Sequence, residues 1–115
     1  MDKINDKILE KIKKFIEKIN ESQIHINDLY LFGSSAKGTN DKYSDIDIAV
    51  ISRDFEGIRF YDKQKLFDAV ISTDVNIEPL TFKPEDFNED NPIVHEIKKN
   101  GINLKYLYQY SFNED

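Results

Sequence analysis

The chain has 115 residues, 39% of them hydrophobic and 33% charged, so we expect one compact domain around one hydrophobic core. It contains no cysteine, which excludes internal disulfides, thiolate metal sites and cysteine nucleophiles and fits a cytoplasmic protein. The net charge of -6 argues against broad nucleic-acid binding, which needs a cationic surface. No apolar stretch approaches the roughly 18 to 20 residues of a membrane span, and the N-terminus does not resemble a secretory signal.

The first part of the chain predicts a helix followed by two strands. Apolar residues recur at helical spacing from Ile4 to Ile19, with charged residues between them. The apolar run from Leu29 to Phe32 predicts a buried strand, which stops at Gly33 and turns into a short helix. The alternation of apolar and polar residues from Asp45 to Ile51 then predicts a second strand.

The second part of the chain predicts a crossover helix, a third strand, a further helix and an aromatic tail. Apolar residues lie at helical intervals from Phe60 to Ile71, and the alternation from Val75 to Pro79 predicts the strand. A helix is expected to begin at Pro92 and to end at Gly101. Tyrosines and a phenylalanine alternate in the tail, residues 105–115, which predicts an edge strand or a docked aromatic arm. This order is typical of an α/β (α+β) domain, with a small mixed sheet flanked by helices.

One stretch, Gly33 to Val50, combines features of a phosphate-binding turn with a pair of carboxylates. A strand that ends in Gly-Ser and turns into a helix exposes backbone N–H groups where a polyphosphate could bind. Gly33 permits close approach of the backbone, and the Ser34 hydroxyl can donate to a phosphate oxygen. Asp45 and Asp47 are two positions apart on a strand, so both carboxylates leave the same face. Two such carboxylates, together with substrate phosphates, favour a hard cation such as Mg²⁺.

A site with two metal ions needs a further carboxylate. Asp74, Asn76 and Glu78 share one face of the predicted third strand, and one of them can complete the site if that strand pairs beside the second. An Asp-x-Asp alone is usually a pair of surface acids, and a Gly-Ser alone is usually a turn. The combination of both at this spacing is what favours a functional site.

The stretch resembles the signature of a known family. Gly33-Ser34, followed after ten residues by Asp45-Ile46-Asp47, is similar to the motif of the polymerase-beta-type nucleotidyltransferase superfamily. The small size of the chain is similar to that of the minimal nucleotidyltransferases, or MNT domains. The resemblance implies a polymerase beta-like nucleotidyltransferase fold in a single domain, residues 1–115, with the motif core at 29–80 and the aromatic tail at 105–115.

The resemblance also implies roles for individual residues. The nucleotide-binding pair and the metal-binding carboxylates of the family match Gly33, Ser34, Asp45 and Asp47. Lys37 lies where relatives often have a basic residue, so it is a candidate phosphate contact, with a solvated helix lysine as the alternative. The third carboxylate of the family is usually an aspartate on a later strand. We assign this role to Glu78 as metal ligand and catalytic residue, with Asp74 in reserve.

The activity implied by the resemblance is transfer of a nucleoside monophosphate, AMP from ATP, to a hydroxyl group with the help of two Mg²⁺ ions. Because the chain leaves no room for a large acceptor-binding domain, we expect the acceptor on a partner protein or across a homo-oligomer. Resemblance to solitary MNT proteins implies the antitoxin of a HEPN-type toxin, which it neutralises by adenylylating a tyrosine. Two alternatives stay open: small-molecule transfer of the aminoglycoside-modifying kind, and a non-catalytic module that neutralises a partner by binding.

Overall fold

The centre of the computed structural model, which describes residues 4–39 and 44–112 with side chains as far as residue 108, is a four-stranded sheet. The strands are β1 (Asp28–Phe32), β2 (Ile46–Ile51), β3 (Ile77–Phe82) and β4 (Ile102–Asn103). The helices are α1 (Asp6–Glu21), α2 (Ser34–Lys37), α3 (Arg59–Lys65), α4 (Phe67–Thr73), α5 (Pro92–Asn100) and α6 (Lys105–Phe112), with a 3-10 turn at Pro84–Asp86. None of the helices in the described ranges is long and apolar enough to cross a membrane.

The sheet is mixed, as the sequence predicts. Its order is β3-β2-β1-β4, with β2 parallel to β3, and β1 antiparallel to both β2 and β4. A parallel pair needs a crossover connection, which α3 and α4 supply between β2 and β3. In this register Asp47 lies opposite Phe32 on one side and Glu78 on the other. The topology therefore brings the C-terminal end of β1 close to the N-terminal ends of β2 and β3.

The two faces of the sheet pack against different helices. The residues of β2 that face α1, α4 and α6 alternate with those that face α5, because successive side chains of a strand point to opposite faces. Ile46, Ile48 and Val50 belong to the larger core with α1, whereas Ala49 and Ile51 pack with Val94, Ile97 and two phenylalanines. By the same alternation, the Asp47 side chain extends from the sheet face that packs against α5. It lies at the start of β2, opposite the last residue of β1.

The single crossover helix predicted from Phe60 to Ile71 is wrong, because the structure has two helices that meet at Leu66. The Leu66 side chain is fully buried in the larger core, and its backbone, at φ -97° and ψ -1°, leaves regular helix geometry. The change of direction lets α4 pack against α1 while α3 lies along β3. Apolar periodicity does not distinguish one helix from two consecutive helices that share a core.

The predicted bounds of the third strand are also wrong. The strand does not include Val75, which is 72% exposed in a turn, and it continues beyond Pro79 to Phe82. An Asp74 carboxylate oxygen accepts a hydrogen bond from the Asn76 N–H at 2.8 Å, which forms a local turn before the strand can begin. Proline is tolerated within β3 because this strand is at the edge of the sheet.

Of the two alternatives predicted for the aromatic tail, the edge strand is wrong, since residues Lys105–Phe112 form helix α6 and the strand at this edge of the sheet is the short β4 before it. Leu104 and Tyr108, four positions apart, are both buried in the larger core, whereas Tyr106 is half exposed. Burial raises the pKa of the Tyr108 phenol to about 12, so this side chain is neutral at physiological pH. The final residues of the predicted tail, 113–115, lie outside the described residues.

A buried carboxylate, Asp62, holds the loop that leads into α3. Its side chain is 1% exposed and accepts hydrogen bonds from the Glu56 N–H at 2.7 Å and the Gly57 N–H at 2.9 Å. Lys65 lies 3.9 Å from the same carboxylate. These bonds fix the first turns of α3 against the loop that follows β2.

Replacing Asp62 with Ala is expected to lower the free energy of unfolding by about 1–3 kcal/mol, because the Glu56 and Gly57 N–H groups lose the buried carboxylate that accepts their hydrogen bonds. Urea denaturation measures the change. Asp68→Ala, which removes an exposed carboxylate from the neighbouring helix, is the matched control and should stay within about 0.5 kcal/mol of wild type. Equal losses in the two variants would contradict this role of Asp62.

Candidate active site

The turn after β1 lies directly against the Asp47 carboxylate. Gly33 adopts φ +72° and ψ -153°, a conformation that is essentially restricted to glycine. A Cβ atom built on Gly33 would overlap Oδ2 of Asp47, so any other residue here would displace that carboxylate. Two separate constraints, conformation and close contact, therefore select glycine here, and the contact joins the predicted phosphate-binding turn to the predicted metal ligands.

The short helix α2 follows this turn as predicted. The N–H groups of Ala36 and Lys37 donate to the Gly33 carbonyl at 3.2 and 3.3 Å, while the first amides of a helix have no acceptor within it. Ser34, whose side chain is half buried, begins α2 beside the Gly33 turn. Lys37 ends α2 with an exposed side chain, so a contact of Lys37 with phosphate stays a prediction.

Ser35 is a candidate functional residue that sequence reasoning missed. Its side chain is 4% exposed, and its hydroxyl has no hydrogen-bond partner among the described residues. A buried hydroxyl without a hydrogen-bond partner lowers the free energy of unfolding by about 1–3 kcal/mol. Two consecutive serines form no pattern that shows which of them is buried. Only the structure distinguishes the buried Ser35 from the half-buried Ser34.

The Asp47 carboxylate is affected by burial and by two other carboxylates predicted from the sequence. Burial raises the pKa of Asp47 above its ordinary value, and the negative charges of Asp45 and Glu78 raise it further. Asp47 and Glu78 are direct partners in the parallel register of β2 and β3. Glu78 therefore lies beside Asp47 in the sheet, and its role as the third carboxylate stays a prediction.

The Glu78 side chain is held by Lys63 of α3. The Lys63 Nζ atom lies 2.5 Å from a Glu78 carboxylate oxygen, and both side chains are about half exposed. Within residues 4–39 and 44–112, no three His, Cys, Asp or Glu side chains are grouped closely enough to hold a metal ion. Asp45 and Asp47 nevertheless fit Mg²⁺, because this ion is usually bound by one or two carboxylates together with substrate phosphates and water.

The interpretation that Asp74, Asn76 and Glu78 share one strand face is wrong, because β3 begins only at Ile77. Asp74 ends α4, and its carboxylate forms an ion pair with Lys11 of α1 at 2.6 Å. The hydrogen bond from Lys11 is the main cause that lowers the pKa of Asp74. Asp74 is therefore engaged with α1, whereas Glu78 lies opposite Asp47.

A cleft beside Glu78 was not foreseen from the sequence. It has a volume of about 350 Å³ and lies between α3 and β3. We call it the α3–β3 cleft, and its lining residues are Arg59, Phe60, Lys63, Glu78, Pro79, Leu80 and Thr81. Because Lys63 and Glu78 are separated by fifteen positions in the sequence, no local pattern could have revealed that they meet in this cleft.

Comparisons with known proteins agree on one family. The family model described as "Nucleotidyltransferase domain" matches residues 9–109 of the chain. The chain is 32% identical over 100 residues to the "Putative protein adenylyltransferase" of Methanocaldococcus jannaschii, a match that covers 82% of this chain and 64% of that relative. A crystal structure of a "putative nucleotidyltransferase" from Sulfolobus solfataricus matches with a TM-score of 0.61 at 19% identity, over 84% of this chain and 78% of that one. The structural likeness confirms the fold.

Proposed function

Because the chain belongs to the nucleotidyltransferase domain family, we propose that this nucleotidyltransferase transfers AMP from ATP to a hydroxyl group of a partner protein in the cytoplasm. The observation that carries the proposal is the close approach of Gly33 to the Asp47 carboxylate, which supports a site built from the predicted phosphate-binding turn and the predicted metal ligands. The name of the Methanocaldococcus jannaschii relative, "Putative protein adenylyltransferase", supports AMP as the group transferred and a protein as its acceptor. The chain spans 64% of the length of that relative.

In the proposed reaction, the acceptor hydroxyl oxygen forms a bond to the α-phosphorus of the nucleotide. The bond between the α-phosphorus and the oxygen that bridges to the β-phosphate breaks, and pyrophosphate leaves with the electron pair. The hydroxyl proton passes to Glu78 or to solvent. Backbone amides after Gly33 and the Ser34 hydroxyl orient the triphosphate.

Asp45 and Asp47 are the proposed ligands of two Mg²⁺ ions, and Glu78 is the proposed third carboxylate. When bound, the ions offset the negative charge on the attacking and leaving oxygens. Burial and the negative charges of Asp45 and Glu78 raise the pKa of Asp47, so the ionised Asp47 carboxylate is unfavourable without a cation. This unfavourable charge at the site supports the binding of a cation.

The experiment that tests the proposal incubates the purified protein with Mg²⁺, nucleoside triphosphates labelled at the α-phosphate, and the protein encoded by the neighbouring gene. We expect label from ATP on that partner and release of pyrophosphate. The Asp45→Asn/Asp47→Asn double variant should transfer no label. Absence of transfer, with the partner still neutralised by the double variant, would instead identify a non-catalytic binding module. Transfer to a free aminoglycoside would identify a small-molecule enzyme.

We propose a HEPN-type toxin as the acceptor, which makes this chain the corresponding antitoxin. This step is supported by the family resemblance alone. Co-expression with the toxin should restore growth, and mass spectrometry of the toxin should show added AMP on a tyrosine. Restored growth without any modification would contradict the enzymatic form of this proposal.

Replacing Glu78 with Gln is expected to reduce transfer at least about tenfold, because the variant keeps the shape of the side chain but loses its charge. Steady-state kinetics at several Mg²⁺ concentrations measure the effect. Glu85→Gln, which changes an exposed glutamate paired with Lys83, is the matched control and should leave the rate unchanged. Full turnover of the Glu78→Gln variant would contradict the assignment of Glu78 as the third carboxylate and would leave Asp45 and Asp47 as the proposed metal ligands.

A further inference from the structure

The α3–β3 cleft is bordered by Glu78, so a group bound in it would lie next to the proposed site of transfer. Its volume of about 350 Å³ is at the lower end of the roughly 300–1,000 Å³ typical of small-molecule sites. A cleft of this size suits one amino-acid side chain with its adjoining backbone. The residues that line it therefore bear on which acceptors reach the site.

Two cations of α3 face the cleft together. Arg59 and Lys63 are four positions apart, and residues at this spacing lie on the same face of a helix. Lys63 is paired with Glu78, whereas Arg59 has no carboxylate partner among the described residues and lies 5.7 Å from the centre of the Phe82 ring. Like charges at this spacing destabilise a helix, so an anion bound at Arg59 would reduce the repulsion between Arg59 and Lys63.

The remainder of the cleft is largely apolar. Phe60 is 66% exposed and presents an aromatic ring to the cleft, while Pro79 and the half-buried Leu80 line it from β3. An exposed aromatic side chain beside a cation matches a ligand that combines an apolar portion with a negative charge. In a polypeptide acceptor, an acidic residue adjacent to the modified residue has this chemistry.

We propose that the α3–β3 cleft binds an acidic residue next to the acceptor hydroxyl, with Arg59 binding its carboxylate. The inference rests on the proposed function, because it assigns the cleft to the acceptor of that reaction. A guanidinium group can bind a carboxylate through two parallel hydrogen bonds, which fixes orientation as well as charge. Arg59 is thereby a specificity-determining residue, which selects hydroxyl groups with an acidic neighbour.

The test uses three synthetic peptides that contain one tyrosine and differ only in its flanking residues, which are Glu, Gln or Lys. With the wild-type protein, labelled ATP and Mg²⁺, we expect kcat/KM to be roughly 5- to 10-fold higher for the Glu peptide than for the Lys peptide. Arg59→Glu should reverse this order, and Arg59→Gln should remove the preference. Lys14→Glu, the same charge change at an exposed position of α1, is the matched control and should keep the wild-type order.

Equal kcat/KM for the three peptides would overturn the proposal for the cleft and leave nucleotidyl transfer intact. An Arg59→Glu variant that raises the KM for ATP by the same factor on every peptide would also overturn it, because Arg59 would then bind the donor phosphates. If the wild type labels the partner protein but no peptide, fluorescence anisotropy of the labelled peptides replaces the rates. The same charge order is then expected in affinity, and equal affinities would overturn the proposal. Absence of label on every acceptor would contradict the proposed function itself.

Discussion

Replacing Asp47 with Asn is expected to reduce nucleotidyl transfer at least about 100-fold and to leave the fold no less stable than the wild type. The loss of activity follows because the substitution removes the charge of a proposed metal ligand that lies against the Gly33 turn. The substitution is not expected to lower the free energy of unfolding, because the ionised Asp47 carboxylate is unfavourable in the folded protein.

The pH dependence follows from the direction of the pKa shift. Burial, with the charges of Asp45 and Glu78, raises the pKa of Asp47, so the folded protein binds this proton more tightly than the unfolded chain. The contribution of Asp47 to stability therefore falls as pH rises from its ordinary pKa through the raised pKa. The Asp47→Asn variant has no carboxylate to ionise at this position. Its free energy of unfolding relative to the wild type should therefore increase between the ordinary and the raised pKa of Asp47 and stay higher at neutral pH.

Thermal denaturation of both proteins in EDTA at a series of pH values measures this difference. Addition of Mg²⁺ should raise the melting temperature of the wild type more than that of the Asp47→Asn variant. Asp68→Asn, an exposed substitution on α4, is the control and should show wild-type activity and wild-type response to Mg²⁺. An Asp47→Asn variant that is much less stable than the wild type at neutral pH would show that the carboxylate has a structural role instead.

The strand-turn-strand frame of the site was predictable because its signals are local. Alternation places Asp47 on the face opposite Ile46 and Ile48, and a glycine at the end of an apolar run marks the turn. Both features depend only on neighbouring residues and on the pleat of a strand. For the same reason, the bounds of β1 and β2 agree with their predictions to within one residue.

The parts that sequence reasoning missed depend on contacts between distant residues. Leu66 divides the crossover helix because α3 and α4 pack against different elements, which periodicity within one segment does not show. The start of β3 is delayed by the Asp74 turn, whose carboxylate also binds Lys11, sixty-three positions earlier. The pair of Lys63 and Glu78 likewise exists only once α3 lies along β3. Local alternation therefore correctly placed Glu78 on the third strand, but it wrongly placed Asp74 and Asn76 on the same strand and did not reveal the ion pair with Lys63.

Replacing Gly33 with Ala is expected to lower transfer roughly 100-fold, even though a methyl group adds no charge. A residue with a Cβ at φ +72° and ψ -153° carries about 1–3 kcal/mol of backbone strain. Relief of the overlap with Oδ2 of Asp47 requires either the turn or the carboxylate to move. Displacement of either one separates the triphosphate-binding amides from the proposed metal ligands.

Gly38→Ala is the matched control for this prediction, because Gly38 also has a positive φ, +74°, and ends the same short helix. No atom of the described residues lies within 4 Å of a Cβ built on Gly38, so the substitution costs about 1 kcal/mol of strain without a collision. We therefore expect both variants to be less stable in urea denaturation, and only Gly33→Ala to lose label transfer and the stabilisation by Mg²⁺. Loss of activity in proportion to stability in both variants would show that backbone strain, and not the contact with Asp47, explains the requirement for glycine at position 33.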